Sequence, residues 1–431
     1  MEWREMKALV LAGVLALVSV QAQAESDAEA AFRAAKAWTV RVQVERTVSF
    51  VEDEPGAFQG AGFVVDAARG WILTNAHVAG RSPTNLKVAF ENGKLIPARR
   101  VYVDPYLDVA IIGYDTAQLK KRPPEPTLEC DTVPPVGHPV GAFGHPWGFR
   151  FTGTRGIASA ISSRFGADML QTDAPINAGN SGGPLLSLET GRVVGISAAK
   201  IADAEVEGLS FAVPMPYACT IVRLLEAGRD PSPPVGRIDF AIDENDERTL
   251  YVANTRLESR GIDLRAGDEI VAVGNREVQT PTQFIDAARG HLDDLVLRLV
   301  RDHKQVQVRG NIPPATKVTD RRGLWIDGAL FAPVGDFYAG WLKDGNGLMV
   351  HHVDDSSEAA SVGLQYFDVI ERVNDKPVHT LEELEQVVGA VVARKEPIEL
   401  LLIRVMAEGD RLFEYERRDL SGEDVGRVGG P

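Results

Sequence analysis

The sequence predicts a mainly β protein in which one large β-rich block precedes two small α+β modules. Short apolar runs separated by glycine turns fill residues 30–229: "WTVRVQVERTVSF", "GAGFVVDA", "GWILTN", "LKVAFENG", "LIPARRVYVD", "VAIIGYD", "PVGAFG", "GRVVGISAA" and "GLSFAVP". So many strands within about 200 residues indicate a sandwich or barrel. Two proline-rich stretches, "GRDPSPPVG" (Gly228–Gly236) and "NIPPATKVTDRRG" (Asn311–Gly323), break helices and suit linkers. The third observation is an internal repeat. "GIDLRAGDEIVAVGNREVQT" from Gly261 returns as "SVGLQYFDVIERVNDKPVHT" from Ser361, so a step of 100 carries Leu264 to Leu364, Asp268 to Asp368 and Thr280 to Thr380. Each copy continues into a helical stretch and an apolar strand, the order of a duplicated α+β module.

Taken in order, the chain opens on "ALVLAGVLALVSV" (Ala8–Val20), apolar but short of the ~20 residues that span a bilayer. "AQA" (Ala22–Ala24) follows with the small-x-small pattern of a cleavage site. Residues 1–24 are therefore expected to be a signal peptide, and the mature chain periplasmic or secreted. A start at Met6 restores the positive end such signals carry; a retained membrane anchor is the alternative. "EAAFRAAKA" and "YACTIVRLLEAG" read as helices flanking the β-rich block. The expected boundaries are 25–229 for that block, 235–312 and 320–418 for the modules, and 419–431 for a C-terminal tail.

The 431 residues carry a formal net charge of −15, which argues against nucleic acid or an anionic membrane as the main partner. The two cysteines, Cys130 and Cys219, either pair in an oxidising compartment or remain separate buried thiols, and their spacing fits no metal motif. His351 and His352 are adjacent on an expected strand and so face opposite ways. No metal or organic cofactor is indicated.

Chemistry concentrates in "INAGNSGGPL" (Ile176–Leu185), where Ser181 stands among Gly179, Gly182 and Gly183. A serine that is more than a turn residue needs a base, a group that orients the base, and a place for an oxyanion. His77 in "GWILTNAHVAG" follows a strand directly. Asp108 in "DPYLDVAIIGYD" enters a strongly apolar strand, where a partly buried carboxylate needs a partner, and His77 Nδ1–H suits it. The order His, Asp, Ser is that of chymotrypsin. Each residue alone is more often a turn or cap residue; the three together in one β-rich block point to nucleophilic catalysis.

"TNAHV", "DVAIIGYD" and "GNSGGPL" resemble the three catalytic blocks of the HtrA/DegP family of trypsin-like serine proteases. "GAFGHPWGF", "GTRGIASAIS", "LQTDAPINAGNSGGPL" and "GLSFAVPM" follow the family's order as well. The resemblance implies a chymotrypsin-like double β-barrel followed by two PDZ-like domains. It also implies an ATP-independent endopeptidase of protein quality control that cuts unfolded polypeptides and assembles as trimers or larger homo-oligomers. His77, Asp108 and Ser181 would be catalytic, with Gly179, Asn180 and Ser181 forming the oxyanion hole and its turn. Ile176, Ile196, Ser197, Ala198 and Lys200 would line the substrate pocket. A holdase, scaffold or adaptor with a latent protease domain is the competing reading, which the intact triad disfavours.

Several positions depart from the family. Pro175 stands where pockets for basic side chains carry an acid, and Lys200 where the family is usually apolar; turned inward, Lys200 would favour an acidic or polar side chain. The PDZ carboxylate loops, which would take C-terminal peptides, are expected at Ile238–Asp239–Phe240 and Leu324–Trp325–Ile326. There Asp239 and Trp325 replace glycine, and Phe367 replaces the glycine before Asp368. One or both modules then serve peptide binding, or only assembly and spacing. Phe32 and Trp38 are candidates either for trimer anchors or for the core.

Overall fold

The computed structural model describes residues 27–91, 93–145, 151–163, 166–198, 209–234, 238–242, 249–255, 261–335, 347–405 and 413–430. The expected signal segment and Lys200 lie outside them. Six strands close the first barrel: β1 (Thr39–Arg46), β2 (Gly56–Asp66), β3 (Trp71–Thr74), β4 (Asn85–Ala89), β5 (Ile96–Asp104) and β6 (Val109–Tyr114), in the order β1-β2-β3-β6-β5-β4. A second barrel closes from β7 (Pro139–Gly144), β8 (Thr152–Ser162), β9 (Met169–Thr172), β10 (Pro184–Ser187), β11 (Val193–Ala198) and β12 (Ser210–Pro214). Alternation explains β1, whose Val40, Val42 and Val44 face inward; β6 is buried along its whole length and is apolar throughout.

Three strands escaped the sequence reading: β8, β9 and β10. β8 is threonine-, serine- and glycine-rich with an alternately exposed face, and the other two span only four residues each. The helix over 27–35 and the helix Met215–Glu226 flank the barrels as expected. Trp38 is a core residue beside Phe63, and Phe32 stacks on Phe143 at 5.7 Å, so within one chain both pack as core. Cys130 and Cys219 form a disulfide that fastens the second helix to the segment entering the second barrel.

The first module holds β13 (Ile238–Ile242), β14 (Leu250–Thr255), β15 (Glu269–Val273), β16 (Arg276–Glu277), β17 (Leu295–Arg301), β18 (Lys304–Gly310) and the helix Pro281–Ala288. The second holds β19 (Arg322–Ile326), β20 (Ala329–Pro333), β21 (Leu348–Val353), β22 (Val369–Val373), β23 (Lys376–Pro377), β24 (Ile398–Val405), β25 (Phe413–Leu420), β26 (Val425–Gly429) and the helix Leu381–Arg394. The repeat survives at atomic detail. Asp268 receives a two-pronged bond from Arg301 and caps Arg265 N–H; Asp368 does the same with Arg404 and Gln365. Gly267 and Phe367 both adopt positive φ, at 89° and 71°. The phenylalanine is therefore held in a conformation that favours glycine.

Two expectations for the second module change. The C-terminal stretch expected as a tail from residue 419 is not free, because β26 (Val425–Gly429) pairs antiparallel with β19 along Arg322–Ile326. Leu324, Trp325 and Ile326 are not a carboxylate loop either. They lie in β19 with ladders to β20 on one side and β26 on the other, so their backbone groups are already engaged. The strand matching β13 is β20, reached through the Asp327–Gly328 turn, where both residues have positive φ. Ile238, Asp239 and Phe240 do begin the edge strand of the first module's sheet.

Candidate active site

The first barrel delivers His77 and Asp108 from neighbouring strand ends. β3 stops at Thr74, and a one-turn helix, Ala76–Ala79, carries His77 out of the core. β6 begins one residue after Asp108, which sits at φ 55°. His77 Nδ1 lies 2.7 Å from Asp108 Oδ2, and His77 N–H donates to Asp108 Oδ1 at 2.9 Å. Asn75 donates from Nδ2 to the Asp108 carbonyl at 2.9 Å. The carboxylate thus meets the imidazole from a backbone fixed at both ends.

The second barrel delivers Ser181 between β9 and β10. Its carbonyl accepts from Ala61 N–H of β2 at 2.8 Å, which ties the serine loop to the first barrel. Gly182 shows why glycine is required: φ is 83°, and a Cβ there would fall 2.2 Å from the Ala61 carbonyl oxygen and from Thr74 Oγ1. Thr74 is three residues before His77, so this close approach brings the serine loop against the strand that carries the imidazole. Gly179 has φ 101°. Asn180 N–H donates to the Asn177 carbonyl at 2.9 Å, whereas the N–H groups of Gly179 and Ser181 donate to no other described residue. Ser181 is 6% exposed, and its Oγ makes no hydrogen bond to His77 among the described residues.

Around this centre, Ile176 is buried in the second barrel, while Ile196, Ser197 and Ala198 form the buried end of β11. Pro175 offers its carbonyl to Thr154. The sequence reading missed His145, which is buried at the end of β7 and donates its N–H to the Gly179 carbonyl at 3.2 Å. Burial, helped by the Arg41 charge, depresses its pKa to about 4, so the ring is neutral at ordinary pH. Its place inside "GHPWGF" was the available signal. Among the described residues no cluster of three metal-ligating side chains occurs. His351 and His352 diverge, one toward Phe50 and the other stacked on Trp325.

Residues 60–196 match the model of the trypsin-like peptidase domain. Over 359 residues the chain is 30% identical to the periplasmic serine endoprotease DegP of Escherichia coli K12, covering 77% of this chain and 72% of that protein. The chain belongs to the HtrA/DegP family. A probable periplasmic DegP-like serine endoprotease of Brucella suis is 27% identical over 82% of this chain and 72% of its own length. The HtrA-type protease AlgW with a tripeptide superposes with a TM-score of 0.53 at 25% identity, covering 67% of this chain and 98% of that one. This HtrA/DegP chain is accordingly a serine endopeptidase, built as two barrels with two further sheet modules.

Proposed function

We propose that His77, Asp108 and Ser181 are the catalytic triad of an exported endopeptidase that cuts unfolded polypeptides without ATP or metal. The observation that carries this is the Asp108–His77 pair, 2.7 Å between Oδ2 and Nδ1, on the barrel edge against which the "GNSGG" loop is fastened. In this reading Ser181 Oγ attacks the peptide carbonyl as His77 Nε2 takes its proton. The oxyanion settles on the N–H groups of Gly179 and Ser181, each such donor supplying about 3 kcal/mol of transition-state stabilisation. His77 then gives the proton to the leaving amine, and Asp108 steadies the imidazolium throughout. Water repeats the sequence on the acyl-enzyme.

Ile176, Ile196, Ser197 and Ala198 would shape the pocket for the residue before the cleaved bond; the buried isoleucines favour a small aliphatic side chain. At the start of β13 the Asp239 carboxylate would repel a C-terminal carboxylate, which favours assembly or spacing over peptide capture for the first module. Periplasmic placement and a homo-oligomer are part of the proposal, the first because the DegP relatives are periplasmic by name. The test is casein degradation by the mature protein beside Ser181→Ala and His77→Ala, without ATP or metal. Cleavage lost in both variants is expected. Cleavage that persists in Ser181→Ala overturns the assignment. Absence of cleavage in every form, with suppressed aggregation of a denatured client, favours the holdase reading.

A further inference from the structure

The first module reaches into the protease domain with one arginine. Arg289 caps the end of the helix Pro281–Ala288, and Asp104 ends β5. Arg289 Nη1 lies 2.6 Å from Asp104 Oδ2, and both side chains are 0% exposed. Tyr102 OH donates to the same carboxylate at 3.0 Å, and Arg289 also donates to the Pro231 carbonyl in the linker. Among the described residues the guanidinium remains under-satisfied, because Nε and Nη2 find no partner there. A fully buried ion pair gives little net stability over apolar residues of similar volume, so stability alone is a poor account of this one.

What the pair grips is more informative. The other oxygen of Asp104, Oδ1, accepts from Tyr106 N–H at 3.0 Å and Leu107 N–H at 2.9 Å, folding the turn that leads directly to Asp108. Asp108 itself holds φ 55°, a conformation a non-glycine residue keeps only when its surroundings over-determine it. Asn75 fixes its carbonyl side; Asp104 fixes the approach. A second contact from the same module reinforces the turn, as Tyr106 OH bonds the Gly166 carbonyl at 2.9 Å and lies 3.2 Å from Thr282 Oγ1.

We propose that Arg289 and Asp104 are positioning residues for the Asp108 carboxylate, so that the catalytic base is fully oriented only while the first module is docked. This rests on the triad reading above. Arg289 touches neither substrate nor the reacting atoms; it acts through Asp104 and the turn. Undocking leaves Asp104 without its counter-charge, loosens the turn and lets Asp108 swing away from His77 Nδ1. A displacement of about 1 Å at such a group costs on the order of a hundredfold in rate.

The experiment uses the full-length protein and reads kcat and KM on casein and the rate of Ser181 labelling by a fluorophosphonate. For Arg289→Met the expected result is a fall in kcat and labelling of at least about tenfold, with KM within about twofold. Arg289→Lys keeps the charge and restores part of the rate. Added to Asp108→Asn, Arg289→Met costs nothing further, because the residue it positions is already disabled. Full kcat in a folded Arg289→Met overturns the proposal, as does a loss that adds fully to that of Asp108→Asn. If Arg289→Met does not fold, Asp104→Asn, which retains Oδ1, carries the same outcomes. Asp108→Asn with undiminished activity signals instead that the triad reading has failed.

Discussion

Acidification is predicted to unlatch the second module from the protease domain through His351. The ring is fully buried, accepts from Val51 N–H on Nδ1 at 3.3 Å, and faces the Pro333 carbonyl from Nε2 at 3.1 Å. This pattern needs the neutral ring with its hydrogen on Nε2. Phe50 packs edge-on against it at 5.4 Å, and the charged groups facing it are Arg321 and Glu52, themselves paired at 3.0 Å. Burial, then the Arg321 charge, lowers the His351 pKa from 6.5 to about 4. Because the folded value is the depressed one, the unfolded chain binds the proton more tightly, and stability falls as pH drops below 6.5 until about pH 4. The displacement corresponds to about 3 kcal/mol. Burial also pushes the Glu52 pKa up, but the charge and hydrogen bond of Arg321 outweigh it and leave it lowered, and His145 adds an acid slope of its own. The comparison is therefore between wild type and His351→Gln, whose amide can accept from Val51 and donate to Pro333 without titrating. Urea unfolding, with hydrogen exchange at the Val51 amide, is followed from about pH 7 to about pH 4. Wild type should lose about 3 kcal/mol more than the variant over that window. Parallel stability curves for the two proteins would refute the reasoning.

Three further perturbations follow. Gly182→Ala introduces a Cβ 2.2 Å from two oxygen atoms at φ 83°. It should cost roughly 2–5 kcal/mol from overpacking and backbone strain together and abolish fluorophosphonate labelling; an unchanged unfolding midpoint rejects the close approach. Replacing Cys130 and Cys219 by serine opens a loop with a sequence separation of 89. It should lower stability by about 4.6 kcal/mol in the chain-entropy account, and a denaturation midpoint insensitive to reductant argues against the bridge. Asp53 receives the N–H groups of Arg81 and Ser82, both at 2.7 Å, and pairs with buried Arg46 behind His77. Asp53→Ala should therefore destabilise by about 3–5 kcal/mol; denaturant titration showing a loss below about 1 kcal/mol contradicts that burial of the pair matters.

What was legible in the sequence is what short-range chemistry dictates. His77 leaves a strand, Asp108 enters an apolar one, and Ser181 sits among glycines, local settings that the sequence itself spells out. The module repeat was legible for the same reason: Asp268 and Asp368 cap their own turns three residues back. Illegible elements are those whose partners are remote. β26 reads as an exposed Val-Gly-Arg-Val-Gly stretch and becomes a strand only because β19 offers an edge. Leu324–Ile326 fits the pattern of a carboxylate loop opening a strand, with Trp325 in place of glycine, and only the Asp327–Gly328 turn signals that it forms a hairpin with β20. Arg289 at a helix end and Asp104 at a strand end each look like solvated caps until docking buries both.

That contrast has a physical consequence for how the enzyme is held together. The Asp108–His77 pair is made within the first barrel, yet the turns behind both residues are fastened from outside it. Asp104 is clasped by the first module through Arg289, and the segment ending at Asp53 is clasped by the second through Arg321, His351 and the Phe50 cluster. Each clasp replaces water around a charged or polar group with a partner from another part of the chain, so its strength depends on complete burial and falls steeply if the modules part. A barrel core of valines and isoleucines survives small displacements, since apolar contact is non-directional. Hydrogen-bonded turns do not, because donor and acceptor must stay aligned. The fold can thus persist through a displacement that breaks the directional contacts by which the modules hold those turns.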